Sequence, residues 1–214
     1  MIEESLYERY PALAACRAGI AAADELLLGA FRAGKKLLIC GNGGSAADAG
    51  HIAGELMKSF LLPRAVSAAD ADSLAAFGED GTYLAARLQG GLPVVSLAAH
   101  GALMTAVAND TAGDMIFAQQ LWALGAPGDV LLAISTSGNS RNCVLAAKAA
   151  RVRGMRVIAL TGEGGGQLAA LADALIDVPA RETYKVQELH LPVYHALCAS
   201  AEAEIFGKGR TVAF

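Results

Sequence analysis

The chain has 214 residues, enough for one domain with a sizeable core, and 54% of them are hydrophobic. Only 18% are charged, which excludes a disordered chain, and the net charge of −4 argues against a nucleic-acid partner. No apolar run reaches the roughly 18 residues of a membrane span, so no membrane association is expected. Four scattered cysteines and an N-terminus without a signal-peptide pattern predict a soluble, cytoplasmic protein.

The first predicted element is a long N-terminal amphipathic helix over residues 10–33, because apolar residues recur there at spacings of three and four. A short apolar strand follows at 35–40 (KKLLIC), closed by GNGGS at 41–45 and continued by a helix. The same order of strand, loop and helix returns three times, and a fifth strand and an apolar helix interrupted by Pro192 end the chain. The three repeats span 92–110, 129–154 and 155–173, the fifth strand spans 174–180, and the last helix spans 189–206.

Short apolar strands that alternate with helices indicate βαβ units around a parallel sheet. We therefore predict an α/β fold, a three-layer α/β/α sandwich with a five-stranded parallel sheet, in one domain spanning residues 1–214. Residues 62–90 break the alternation with two helix-like pieces around GEDG, and we interpret them as an inserted helical excursion that serves as a lid or an assembly contact.

Two loops at the carboxyl edge of this sheet are candidate binding elements. The GNGGS loop lacks the lysine of a phosphate-binding Walker motif and the acidic residue that a ribose needs, so no nucleotide cofactor is expected. Its glycines do allow close backbone approach at a helix start. The STSGNS loop at 135–140 brings four hydroxyls to a helix N-terminus, which predicts an anion site; a simple helix cap is the alternative.

Candidate acid–base residues lie on the predicted helices. His51 and Glu55 are four residues apart, so they share one face of the helix that begins at GNGGS. His195 and Gln187 lie on or near the C-terminal helix. A surface ion pair is the alternative for His51 and Glu55, and a buried core histidine is the alternative for His195. His100 follows a strand and has no partner by spacing.

Four strings in this order resemble the sugar isomerase (SIS) domain, and within it the phosphoheptose isomerases: CGNGGSAADAGHIAGEL, GDVLLAISTSGNSRNCVLAAKAAR, GMRVIALTGEGGG and VQELHLPVYHAL. The resemblance covers nearly the whole chain apart from residues 62–90. It implies interconversion of sedoheptulose 7-phosphate and glycero-manno-heptose 7-phosphate through an enediol. It also implies a homotetramer with active sites at subunit contacts.

The resemblance assigns roles to particular residues. Glu55 and His195 match the family's catalytic acid–base pair. The substrate-binding positions match Asn42, Gly43, Gly44, Ser45, Ser135, Thr136, Ser137, Ser140 and Gln187, with the four hydroxyls of the STSGNS loop on the phosphate. Some members bind zinc, through positions that match His51, Glu55, Gln187 and His195. On one continuous helix Gln187 and His195 would lie about 12 Å apart along the axis. A kink at Pro192 or a later start of the helix would shorten this distance.

Two departures from the family bear on the substrate. His100 stands where these isomerases commonly carry an aspartate, and this change affects how a sugar hydroxyl would be recognised. The segment 62–90 is longer than the usual connection in the family. Two non-catalytic alternatives remain: a SIS protein that associates with the replication initiator, and a sugar-phosphate-binding regulator. The first loses the acid–base pair, which this chain has, and the second needs a DNA-binding module for which the chain has no basic helix.

Overall fold

The computed structural model describes residues 4–207. The strands are β1 (Leu37–Cys40), β2 (Val94–Ser96), β3 (Val130–Ser135), β4 (Arg156–Thr161) and β5 (Ala174–Asp177). The helices are α1 (Glu4–Arg9), α2 (Arg17–Arg32), α3 (Gly44–Met57), α4 (Ala68–Ala75), α5 (Gly78–Arg87), α6 (Gly101–Asp110), α7 (Ile116–Leu124), α8 (Arg141–Val152), α9 (Gly166–Ala169) and α10 (Thr183–Phe206).

The five strands form one parallel sheet in the order β2-β1-β3-β4-β5. Every residue of β1 and β3 is buried, because helices cover both faces of the sheet. The predicted three-layer fold with five parallel strands is therefore confirmed. The order also places β1 beside β3, although β2 and its helix come between them in the sequence.

Two apolar cores lie on opposite faces of the sheet. One contains buried residues of α2, α3 and α10, among them Leu27, Ile52 and Leu197. The other contains buried residues of α7 and α8, among them Leu121 and Ala146. The helix that follows β1 and the helix that follows β3 therefore leave their neighbouring strands toward opposite faces.

The N-terminal helix is confirmed over Arg17–Arg32, and its predicted first part is different. Residues Pro11–Cys16 form a tighter 3-10 turn, with proline in the first turn, and α1 precedes it. Proline is tolerated in the first turn of a helix, so Pro11 marks where this turn begins, and the regular α-helix begins at Arg17.

The segment 62–90 holds α4 and α5, which pack on each other at Gly81, where a Cβ would lie 1.8 Å from the Leu74 carbonyl oxygen. An isolated antiparallel bridge between Ala65 and Gln89 closes the base of this hairpin. That the segment is an insertion within a single SIS domain stays a prediction. Within residues 4–207, no helix has the length and apolarity that crossing a bilayer requires.

Candidate active site

The loops that follow β1 and β3 lie at the carboxyl edge of the sheet, where the topology predicts a crevice. These strands are neighbours, yet α3 and α8 turn away to opposite faces, so the loops separate at this point. Open parallel sheets bind their ligands at such a switch in topology. The residues predicted for substrate binding lie on these two loops, apart from Gln187 on α10.

The loop after β1 is shaped by its glycines. Gly43 has φ of +54°, which a side chain would strain, and it immediately precedes α3. A Cβ on Gly44 would lie 2.4 Å from Gln187 Nε2, so only glycine lets the amide of α10 approach the start of α3. Asn42 is exposed at the loop tip, whereas Ser45 is buried.

The loop after β3 presents hydroxyls at the start of α8. Ser135 is buried and donates to Ser140 Oγ at 2.9 Å, Thr136 and Ser140 are half-buried, and Ser137 is exposed. Ser140 occupies the N-cap position of α8 but makes no capping side-chain hydrogen bond. The helix-cap alternative therefore lacks its defining contact. Cys143 N–H donates to Asn142 Oδ1 at 3.0 Å, which leaves the first-turn N–H groups of Arg141 and Asn142 as candidate anion donors.

A third loop, Gly162–Gly166 after β4, braces the loop after β3. A Cβ on Gly138, whose φ is +66°, would lie 2.0 Å from the Gly165 carbonyl oxygen. Leu168 N–H donates to the Gly138 carbonyl at 3.1 Å, and Gly162 N–H donates to the Thr136 carbonyl at 2.9 Å. The glycines of GEGGG thus serve close backbone packing, a role that the sequence analysis did not assign to them.

An amide pair joins the two crevice loops. Asn42 Nδ2 donates to Asn142 Oδ1 at 2.9 Å, and Asn142 Nδ2 donates back to Asn42 Oδ1 at 2.8 Å. Asn42 is exposed and Asn142 is half-buried. Asn142 was not predicted as a site residue, although its position in the first turn of α8, two residues after Ser140, was an available signal.

His51, Glu55 and His195 come together between α3 and α10. His51 Nε2 lies 3.2 Å from Glu55 Oε1 and 3.4 Å from His195 Nε2, and Lys58 Nζ lies 3.3 Å from Glu55 Oε2. Burial lowers the pKa of His195, the nearby His51 acts in the same direction, and the Glu55 carboxylate opposes them. The pair predicted for acid–base chemistry thus shares one neighbour, His51.

Asp48 and Tyr194 complete this group, and neither was predicted as a site residue. Tyr194 OH lies 3.1 Å from His51 Nδ1 and donates to Asp48 Oδ1 at 3.2 Å. Burial, together with the Asp48 charge, raises the pKa of Tyr194, and burial also raises the pKa of Asp48. The signal was present in the spacing, because Asp48, His51 and Glu55 at i, i+3 and i+7 share a helix face.

The predicted zinc ligands do not all meet. Helix α10 begins at Thr183 and runs unbroken through Pro192, so Gln187 and His195 stand about 12 Å apart along its axis. Within the described residues, no group of three or more His, Cys, Asp and Glu side chains is arranged to hold a metal ion. Glu55 and His195 instead each contact His51.

His100 lies at the same edge of the sheet, after β2, and has a defined partner. Its Nδ1 lies 2.6 Å from Gln120 Oε1, while the Gln120 amide donates to the carbonyls of Leu97 and Ile116 at 2.9 and 2.7 Å. Since the amide N–H groups are engaged there, Gln120 Oε1 accepts from His100 Nδ1. The buried Gln120 therefore orients the His100 imidazole.

Comparison with known proteins identifies the family. The SIS domain family model matches residues 65–162. A phosphoheptose isomerase of Aromatoleum aromaticum is 42% identical over 208 residues, 96% of this chain and 92% of that protein. The structure of a phosphoheptose isomerase from Neisseria gonorrhoeae has a TM-score of 0.73 and 36% identity, with 94% of each chain covered. One from Francisella tularensis has a TM-score of 0.72 and 31% identity, with 93% of each covered. This chain belongs to the phosphoheptose isomerase family of SIS-domain proteins.

Proposed function

We propose that this protein is an aldose–ketose isomerase that interconverts sedoheptulose 7-phosphate and glycero-manno-heptose 7-phosphate. The observation that carries the proposal is the meeting of Glu55 and His195 on His51, on the helix that starts at the GNGGS loop, together with a hydroxyl-rich loop that the Asn42–Asn142 pair joins to GNGGS. Isomerisation needs a base at one carbon, an acid near the oxygens and an anchor for the substrate. The residues present supply each of these.

The loop after β3 is the proposed phosphate anchor. Ser137, Thr136 and Ser140 offer hydroxyls, and the uncapped start of α8 offers backbone N–H groups and a partial positive charge. Asn42 and Ser45 would contact the sugar from the opposite loop. His100, oriented by Gln120, would meet a sugar hydroxyl with an imidazole in place of a carboxylate.

Glu55 and His195 carry the proton transfers in this proposal. One of them removes a proton from the carbon beside the carbonyl, which gives an enediol. The proton returns to the neighbouring carbon, while the hydroxyl and carbonyl oxygens exchange roles, so no atom is gained or lost overall. The side chain of Glu55 is only 16% exposed, which limits competing contact of its carboxylate with water.

The donor chemistry of the site fits zinc, and we include zinc in the proposal as a bound cofactor. Two imidazoles and a carboxylate are donor types that zinc binds, although within the described residues these side chains are not arranged as a metal cluster. His51, Glu55 and His195 would hold the ion. Gln187, the fourth predicted ligand, lies near Gly44 instead. A bound zinc ion would supply Lewis-acid polarisation of the substrate carbonyl.

We further propose a homotetramer that acts in the cytoplasm. Large apolar side chains exposed on the chain, including Phe77, Tyr83 and Trp122, support burial against other copies. The four cysteines are all free and buried, which suits a reducing compartment. Analytical ultracentrifugation at several concentrations tests the tetramer, and a stable monomer would contradict it.

The decisive experiment is an isomerase assay over a small panel of ketose phosphates, with and without added zinc. We expect conversion of sedoheptulose 7-phosphate, abolished turnover in Glu55→Gln, and unchanged turnover in Glu188→Gln, an exposed glutamate on α10. Ser137→Ala should raise KM with little change in kcat, because it removes a contact present throughout the reaction.

Calorimetry with the same sugar phosphates separates the enzyme from its non-catalytic alternatives. Binding without turnover on any member of the panel would contradict the isomerase and favour a sugar-phosphate-binding SIS protein. Absence of both binding and turnover would contradict both functions.

A further inference from the structure

The amide pair between Asn42 and Asn142 has two edges, and the surroundings of these edges differ. Along each edge the amide oxygen of one residue accepts from the amide nitrogen of the other, at 2.9 and 2.8 Å. This reciprocal arrangement leaves a second N–H group and a second oxygen lone pair on each side chain. These remaining groups decide what else the pair can bind.

Cys143 occupies one of the two edges. Its backbone N–H donates to Asn142 Oδ1 at 3.0 Å, and its Sγ lies 3.9 Å from Asn42 Nδ2. The thiol donates its single proton to the Ile134 carbonyl oxygen at 3.7 Å, so the sulfur can only accept from the amide. The protein itself therefore engages both groups on this edge.

The same contacts fix which way each amide is turned. A backbone N–H can only donate, so the Asn142 atom that faces the Cys143 N–H must be the oxygen. The Asn142 nitrogen then faces Asn42, whose oxygen must be its acceptor. Rotating either amide by 180° would bring two donors or two acceptors together.

The other edge is open. It presents the second lone pair of Asn42 Oδ1 beside the second N–H of Asn142 Nδ2, and neither group has a further hydrogen-bond partner within residues 4–207. Asn42 is exposed and Asn142 is half-buried, so a ligand can reach these atoms. An acceptor beside a donor matches a hydroxyl, which donates and accepts at once, whereas the oxygens of a phosphate dianion only accept.

The open edge lies next to the proposed phosphate anchor. Asn142 is the second residue of α8, and the anchor loop ends at Ser140, which immediately precedes that helix. Asn42 belongs to the GNGGS loop, on which sugar contacts are also proposed. A sugar whose phosphate is held at the anchor would therefore have its hydroxyl-bearing chain close to this edge.

We propose that Asn42 Oδ1 and Asn142 Nδ2 together bind one hydroxyl of the substrate's polyhydroxy chain, which makes Asn142 a substrate-binding residue. That the ligand is a sugar phosphate rests on the proposed function, whereas the composition of the edge does not. The pair favours phosphates whose chain carries a hydroxyl over phosphates whose chain carries none.

Calorimetric titration of the full-length protein with three ligands tests this inference. The ligands are sedoheptulose 7-phosphate, butyl phosphate, whose chain has no hydroxyl, and inorganic phosphate. Asn142→Ala removes the donor without adding charge, and the Cys143 N–H that it frees can only add a donor near the anchor. Asn109→Ala is the matched control, because Asn109 is an exposed asparagine on α6 that contacts Asp110. Circular dichroism checks that each variant is folded.

We expect Asn142→Ala to raise the Kd of sedoheptulose 7-phosphate about tenfold, since it leaves a hydroxyl without its donor. The Kd values of butyl phosphate and inorganic phosphate should change by less than about twofold. Asn42→Ala should show the same selectivity, and the double variant should lose about as much affinity as either single variant, because one hydroxyl needs both amides. Ser137→Ala should instead weaken all three ligands, and Asn109→Ala none.

Equal weakening of all three ligands in Asn142→Ala and in Asn42→Ala would overturn the inference, because the pair would then serve only to link the two loops. An unchanged Kd of sedoheptulose 7-phosphate in both variants would also overturn it. So would a wild type that binds this sugar phosphate no more tightly than butyl phosphate. Turnover decides the proposed function separately: selective binding without turnover would contradict the isomerase and still support the hydroxyl-binding edge.

Discussion

The buried ion pair between Arg64 and Glu202 should be the most sensitive stability element in the described structure, and Glu202→Gln tests it. Both side chains are fully buried, and Arg64 Nε donates to Glu202 Oε1 at 2.7 Å. The same carboxylate accepts N–H groups of Phe60, Leu61 and Leu62 at 2.6–3.0 Å. Arg64 also donates to the carbonyls of Leu56 and Glu55, at the end of α3.

Glu202→Gln leaves the Arg64 guanidinium buried without a counter-charge. Loss of one partner of a buried pair costs about 3–5 kcal/mol of unfolding free energy. With an m-value of about 2 kcal/mol per M for urea, the unfolding midpoint should fall by about 2 M. The double variant Arg64→Met/Glu202→Gln should recover part of this loss, because it removes both buried charges while the amide oxygen still accepts from the backbone N–H groups.

Urea unfolding followed by circular dichroism at a fixed protein concentration measures these midpoints. Glu204→Gln is the control: Glu204 lies two residues further on α10, pairs with Arg32 at the surface, and should leave the midpoint unchanged. A fall of less than about 0.5 M in Glu202→Gln would refute the reasoning. So would a double variant as unstable as the sum of the two single variants.

Two further predictions concern buried groups elsewhere. Burial lowers the pKa of His190 to about 4 in the folded protein. Above pH 6.5 this histidine is neutral in the folded and in the unfolded protein. Between pH 6.5 and 4 only the unfolded protein binds its proton. Unfolding free energy should therefore fall on acidification, by up to about 3 kcal/mol from this group. His190→Gln should flatten the measured curve of stability against pH, and parallel curves would contradict the assignment. Gly138→Ala should raise KM for the sugar phosphate strongly, because the new Cβ would overlap the Gly165 carbonyl oxygen. Gly34→Ala is the control: Gly34 has a similar φ of +68° but lies in open space, so this variant should leave KM unchanged in the same assay.

The sequence predicted the fold well because its signals are local. Short apolar strands such as Leu37–Cys40, each closed by glycines or hydroxyl residues, identify the parallel sheet without knowledge of distant contacts. The boundaries of the helices were harder to predict. Pro11 gave a 3-10 turn where a regular helix was expected, while Pro192 lies inside α10 without ending it. A proline can lie at the start of a helical turn or inside a helix, and tertiary packing decides which of the two occurs.

The candidate site was predictable where spacing along one helix determines proximity, as for His51 and Glu55. Contacts between helices were not, because the rotation of α10 against α3 decides that Tyr194 reaches Asp48. Likewise, no pattern indicates that Asn142 pairs with Asn42 across the crevice. The roles of these residues in binding and turnover stay predictions for the experiments above.

The separation of the two apolar cores has a consequence for how this enzyme can change. The proposed acid–base group is carried by helices of one core, and the proposed phosphate anchor begins a helix of the other. Substitutions in distant, separately packed regions combine additively. Substitutions that pack only against the core of α7 and α8 can therefore change the anchor with little effect on the packing of α3 and α10, whereas the Asn42–Asn142 pair is a contact through which changes in affinity and in chemistry would be coupled.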